Sequence, residues 1–162
     1  MQLNIQTGEN NIVLRKKSVP VRDINKNILK LIRDMEIAMK NEKGVGLAAP
    51  QVGQNIRLII VLMDNKNVVT MINPEITDRS DDTEYAEEGC LSLPGKWGQV
   101  ERFKEIIVKF QNAKGEKIVM RLGHFNARVV QHEIDHLDGI LFTDYLNDIN
   151  LNNIEQRETE RL

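Results

Sequence analysis

The stretch QHEIDHLDG, residues 131–139, constrains this chain more than any other part of it. It predicts a helix over roughly 124–138 that stops at Gly139, a residue type that tolerates a left-handed helix end. A helix turns about 100° per residue, so His132 and His136 fall about 40° apart, one turn along the axis. Glu133 lies within the same arc. Two imidazoles can then share one metal ion while the carboxylate reaches a water in an open coordination position. That is the physical reason for an H-E-x-x-H spacing. The plain alternative is two ordinary helix histidines beside a solvated glutamate. Two of the chain's three histidines lie in this pattern, which favours a metal site.

A metal held by two histidines needs a third protein ligand, and its identity separates chemical classes. A metzincin protease continues as H-x-x-G-x-x-H. Gly139 is present here, but Phe142 stands where the last histidine belongs, so that reading fails. A thermolysin-like protease takes a glutamate from a later helix. Glu155, Glu158 and Glu160 are available for that role, in a polar tail with little apolar surface to bury it. The remaining candidate is Cys90 in EEGCLSLPG, the only cysteine of the chain. A thiolate is a strong ligand for zinc or ferrous iron. A lone cysteine taken by itself is most often a small buried hydrophobe.

Around these residues the pattern predicts an α+β fold. Ile24, Ile28, Leu31, Ile32, Met35 and Met39 recur at helical spacing, giving an N-terminal helix over about 24–40 with Asp23 as its cap and Gly44 after its end. A glycine- and alanine-rich loop, GVGLAAPQVG, follows at 44–53. IRLIIVLM (56–63) and VVTMINPEI (68–76) read as strands about the turn DNKN, and DRSDDT (78–83) as a polar loop. Further strands are predicted at 99–104, 105–111 and 117–122, the last two joined by the turn NAKGE. Strands cluster in the middle and helices at the ends, unlike an alternating βαβ chain.

No repeat or linker divides the sequence, and 162 residues suffice for one core. The expectation is a single catalytic domain over 1–146 and a polar tail or short helix over 147–162. Hydrophobic residues make up 41% and charged residues 28%, an ordinary globular balance. A net charge of −2 gives no electrostatic case for nucleic acid or an anionic membrane. The N-terminus lacks a basic start followed by an apolar run, and the longest apolar stretch, LIIVLM, is far too short for a bilayer. A single cysteine suggests no oxidising compartment. The expected location is the cytoplasm.

Three segments together resemble the peptide deformylase family: GVGLAAPQ (44–51), EGCLS (88–92) and QHEIDHL (131–137), in the family's order and spacing. The resemblance spans nearly the whole chain. It implies antiparallel sheets packed around a central HExxH-bearing helix, with an N-terminal helix. It also implies that Cys90, His132 and His136 hold one divalent metal ion, Fe2+ in the cell, with Zn2+, Ni2+ or Co2+ as substitutes. The implied substrate is the N-formyl group of the formylmethionine that begins a newly made polypeptide, and the products are formate and a free amine. On these residues a water held by the metal attacks the formyl carbon, Glu133 serves as general base, and the Gln51 amide with the Leu91 backbone N–H stabilises the oxyanion. Gly46 lets the substrate backbone come close, and Val45, Phe125 and Val129 line the methionine pocket. Read alone, Gln51 is a solvated loop residue, Gly44 and Gly46 are loop punctuation, and Phe125 and Val129 are plain core.

The chain departs from the family pattern twice. Some bacterial members carry an arginine shortly after the cysteine motif that contacts the peptide backbone; Trp97 occupies that region here. Some members also have a basic C-terminal helix that docks on the ribosome. After Leu146 this chain has Asp148, Glu155, Glu158 and Glu160 against Arg157 and Arg161, a net −2, so any ribosome contact is expected to be transient or made elsewhere on the chain. A metal- or peptide-binding relative without catalysis is the remaining alternative, and the intact Gln51, Cys90, His132, Glu133 and His136 speak against it.

Overall fold

The computed structural model describes residues 3–146. The expected tail or helix at 147–162, with Glu155, Glu158 and Glu160, lies outside the described residues. Helix α1 (Ile12–Arg15) is a single turn, and α2 spans Lys26–Asn41. The α2 cap is Asn25, two residues later than expected, and its side chain accepts from the N–H groups of Asn27 and Ile28. This start places Ile24 just before the cap and Leu29 in the first turn, the two positions of a hydrophobic staple. Both pack against one core cluster with Ile32, Met35, Ala38 and Met39. At the other end Lys43, not Gly44, takes the left-handed conformation, with φ +54°. A Cβ at Gly44 would stand 2.9 Å from the terminal methyl of Leu91, which would have to shift.

The expected loop at 44–53 is a short strand, β1 (Gly46–Ala48), followed by a 3-10 turn over Ala49–Val52. Then come β2 (Leu58–Leu62), β3 (Val68–Arg79), β4 (Thr83–Gly89), β5 (Trp97–Phe103), β6 (Glu105–Gln111) and β7 (Lys117–Gly123). Helix α3 covers His124–Leu137, and residues 142–146 are again helical. The larger sheet is antiparallel in the order β1-β2-β3-β6-β7, which leaves β1 as an edge strand. β4 and β5 form a separate hairpin, from Thr83↔Phe103 to Gly89↔Trp97. Half of the expected 78–83 loop is strand, since Asp78 and Arg79 continue the ladder to Ile107 and Ile106 and Thr83 opens β4. Only residues 80–82 turn.

Asn73 and Pro74 fall at a register shift in β3, where a proline costs no ladder hydrogen bond. Asn73 has φ +52°, and its amide exchanges two 2.8 Å hydrogen bonds with the Val21 backbone, strapping the N-terminal segment to the sheet. Helix α3 lies against the larger sheet. Ala127, Val130, Ile134 and Leu137 join Ile59, Val61, Met71, Ile106, Val108 and Phe110 in one core cluster. The helix ends as expected, with Gly139 at φ +74° and packed so closely on the Arg15 carbonyl that no larger residue fits. The architecture is the expected α+β fold, with the HExxH helix at its centre.

Candidate active site

Helix α3 presents His132, Glu133 and His136 to the turn that follows β4, where Cys90 sits. Ligand atoms of Cys90, His132 and His136 lie within 4.8 Å of one another, and no other group of the kind occurs among the described residues. The Cys90 Sγ stands 3.3 Å from His136 Nε2. Atoms about 2.0–2.3 Å from one ion must lie within roughly twice that distance of each other, so this trio has the span a single ion needs. The donors also suit one: a sulfur and two imidazoles favour zinc or ferrous iron over magnesium or calcium. The third histidine, His124, is exposed at the start of α3, 3.6 Å from Glu84 Oε2, and takes no part.

Burial sets the electrostatics. It holds His136 well below its usual value, so the ring is neutral with a lone pair to offer. Burial alone would lower His132 too, but hydrogen bonding with Cys90 and Glu88 reverses the direction and raises it to about 10. Burial pushes Glu133 up to about 7, against the pull of His132. Glu133 is 4% exposed and its Oε2 has no hydrogen-bond partner. A buried acceptor left bare is costly unless water or a ligand meets it.

Glu88, Arg102 and Arg128 are absent from the sequence-based candidates, yet they support the site. Glu88 Oε2 lies 2.8 Å from His132 Nδ1, which turns the other ring nitrogen toward Cys90. The same carboxylate accepts from Arg102 Nε and Nη2 at 2.9 and 3.0 Å and from Arg128 Nη1 at 2.9 Å. Arg102 reaches on to Asp135 at 2.5 Å, and the Tyr145 hydroxyl donates to the same oxygen. Burial alone would raise Glu88; His132 and Arg102 overcome it and hold the carboxyl at about 2. Because this lies below the ordinary 4.5, the carboxylate adds stability above pH 4.5 and loses it as pH falls toward 2. Glu88→Ala strands two buried guanidinium groups. We expect the metal-free variant to lose about 3 kcal/mol in urea unfolding and its metal affinity to fall about 10- to 100-fold. An unchanged unfolding midpoint would show that the cluster does not support the fold.

Gln51 is 1% exposed, not a solvated loop residue. Its Oε1 accepts from the Ala48 N–H at 2.8 Å. A backbone donor must meet the amide oxygen, which leaves the NH2 group facing Ser92 Oγ at 3.1 Å and Cys90 Sγ at 3.6 Å. Gln51, Leu91, Cys90, His132 and Glu133 all line one cavity of about 550 Å³, together with Val45, Gly46, Phe125 and Val129. His136 does not line it and is 1% exposed. Val129 is buried, while Val45 and Phe125 are each nearly half exposed. Gly46 has a clear role: a Cβ there would overlap the Glu133 carboxylate, 2.7 Å from its Cδ. Only glycine lets β1 pass so close to that side chain.

Comparison with known proteins gives the same answer from separate information. The family model for polypeptide deformylase matches residues 2–152. A peptide deformylase of Desulforudis audaxviator is 48% identical over 132 residues, 82% of this chain and 86% of that protein. The crystal structure of peptide deformylase from Thermotoga maritima superposes with a TM-score of 0.87 at 43% identity, covering 90% of this chain and 97% of the other. A class I type b peptide deformylase from Acinetobacter baumannii, solved with Met-Ala-Ser bound, reaches 0.84 at 36% identity, covering 90% and 98%. With near-complete coverage in sequence and fold, this chain belongs to the polypeptide deformylase family of hydrolases.

Proposed function

We propose that this enzyme hydrolyses the N-formyl group of the formylmethionine at the start of newly made polypeptides. The observation that carries the reading is the bare, buried Glu133 Oε2 in the same cavity as Cys90, His132 and the Gln51 amide. Cys90, His132 and His136 would hold one divalent ion, Fe2+ in the cell, with Zn2+, Ni2+ or Co2+ able to replace it. When bound, such an ion supplies Lewis-acid chemistry, making water more acidic and polarising a carbonyl.

The chain's own residues do the rest. Glu133 accepts a proton from the attacking water as its oxygen bonds to the formyl carbon. The carbon–nitrogen bond then breaks, the same carboxyl passes the proton to the leaving amine, and formate departs. A carboxyl that titrates near neutrality is suited to both transfers. The Gln51 NH2, fixed through Ala48, and the Leu91 backbone N–H donate to the oxygen that becomes negative. Val45, Phe125 and Val129 receive the methionine side chain. The relative with Met-Ala-Ser bound supports a peptide that begins with methionine. We place the reaction in the cytoplasm, with only transient contact to the ribosome.

The test is formate release from a short formyl-Met peptide by anaerobically purified protein loaded with Fe(II) or Ni(II). Release supports the reading. Cleavage of unformylated peptides without formate would favour a metallopeptidase instead.

Metal binding should depend on pH in a defined direction. His132 carries its proton up to about 10 without the ion, so metal and proton compete below that value. Chelator competition should show affinity falling about tenfold per pH unit from pH 8 to 6. Affinity flat across this range would remove His132 from the ligand set.

A further inference from the structure

The proposed chemistry gives no role to the helical segment 142–146, yet this segment meets the site at two points. Phe142, in the place where a metzincin would carry its last histidine, is 2% exposed. Its ring stacks on that of His132, with centroids 6.2 Å apart and planes 25° from parallel. Tyr145 directs its hydroxyl to Asp135 Oδ2 at 2.8 Å, and the Arg102 guanidinium carbon stands 4.8 Å from the centre of its ring. The segment is held from outside as well. Asp144 binds Arg15 through both carboxylate oxygens, at 2.7 and 3.0 Å. Leu146 packs so closely on Gly98 of β5, the strand that carries Arg102, that a Cβ there would overlap it.

An imidazole turns about two single bonds, so a ring that gives one nitrogen to an ion needs the other held. The hold on His132 Nδ1 is Glu88 Oε2, at 2.8 Å. Glu88 is gripped by Arg102 Nε and Nη2, and Arg102 Nη1 reaches Asp135 Oδ2, the oxygen that the Tyr145 hydroxyl also meets. Charge-assisted hydrogen bonds in a largely buried chain reinforce one another, so loosening its end is felt along it.

We propose that Tyr145 is a positioning residue for the metal ligand His132. With the Phe142 ring as a backstop, its hydroxyl sets, through Asp135, Arg102 and Glu88, the direction in which His132 offers its coordinating nitrogen. This rests on the metal site proposed above and on no choice of substrate. The test loads the full-length protein with Co(II), whose visible absorption reports the geometry of its donors, and compares Tyr145→Phe with the parent. The substitution keeps the ring against Arg102 and removes only the hydroxyl. Co(II) affinity by chelator competition should fall about tenfold, the low end of the range for groups that support a ligand, and the visible bands should shift. In a Glu88→Gln background, where the chain is already cut, removing the hydroxyl should change neither further. If circular dichroism shows Tyr145→Phe unfolded, Asp135→Asn weakens the same chain at constant shape and is read in the same way. Affinity and bands equal to the parent's, with only the unfolding midpoint lowered, would make Tyr145 a structural residue and overturn the inference. An undiminished effect in the Glu88→Gln background would overturn it too. A parent that takes up no Co(II) would overturn the metal site itself and this inference with it.

Discussion

Glu133→Gln is expected to keep its metal and lose about 10²- to 10⁴-fold in formate release. The substitution preserves volume at a position that is 4% exposed, so packing is retained. It removes the one property the mechanism needs, an oxygen that takes a proton and gives it back. The unpartnered Oε2 and a pKa pushed up to about 7 by burial suit that task at neutral pH. Metal content by atomic absorption and kcat on one sample separate the outcomes. Activity within tenfold of the parent would remove Glu133 as the base, and loss of metal would assign it a place in holding the ion.

Cys90→Ala is expected to lose the metal and, with it, all measurable formate release. Cys90 supplies one of three donors within 4.8 Å of one another, and alanine supplies none. The loss of affinity should exceed the roughly 10- to 100-fold typical of removing a supporting group. Cys90 is partly exposed at a turn, so circular dichroism should show the fold intact. A variant that binds metal as the parent does would shift the third ligand elsewhere. Glu155→Ala, Glu158→Ala and Glu160→Ala would then identify it.

The elements legible in the sequence are those whose signals are local. The α3 helix, its end at Gly139 and the shared face of His132, Glu133 and His136 follow from spacing alone, because helix geometry is fixed by backbone hydrogen bonds a few residues apart. The β6 and β7 strands and their turn appear at their expected bounds within a residue. The β4 strand was not legible: TEYAEEG carries three glutamates and reads as solvent-facing. What makes it a strand is its ladder to β5. Glu87 and Glu88 are neighbours of one chemical type, yet Glu87 is exposed and Glu88 buried, because successive side chains of a strand point to opposite faces. Which of the two turns inward depends on register with a partner strand. One clue was available: Arg128 sits among Ala127, Val129 and Val130 on a helix destined for the core, and a buried guanidinium requires a buried anion.

By itself, then, the sequence determined the helix, the pair of imidazoles on one face and the carboxylate beside them, and through three separate motifs the family. Tertiary structure decided everything that joins distant segments: Cys90 against His136, Glu88 clamped between Arg102, Arg128 and His132, Gln51 against Ser92, and Gly46 close enough to Glu133 to exclude a methyl group. The reason is physical. Helical spacing repeats within one turn of chain, whereas these contacts arise when sheet register brings residues 14 to 87 positions apart into contact, and composition carries no record of register.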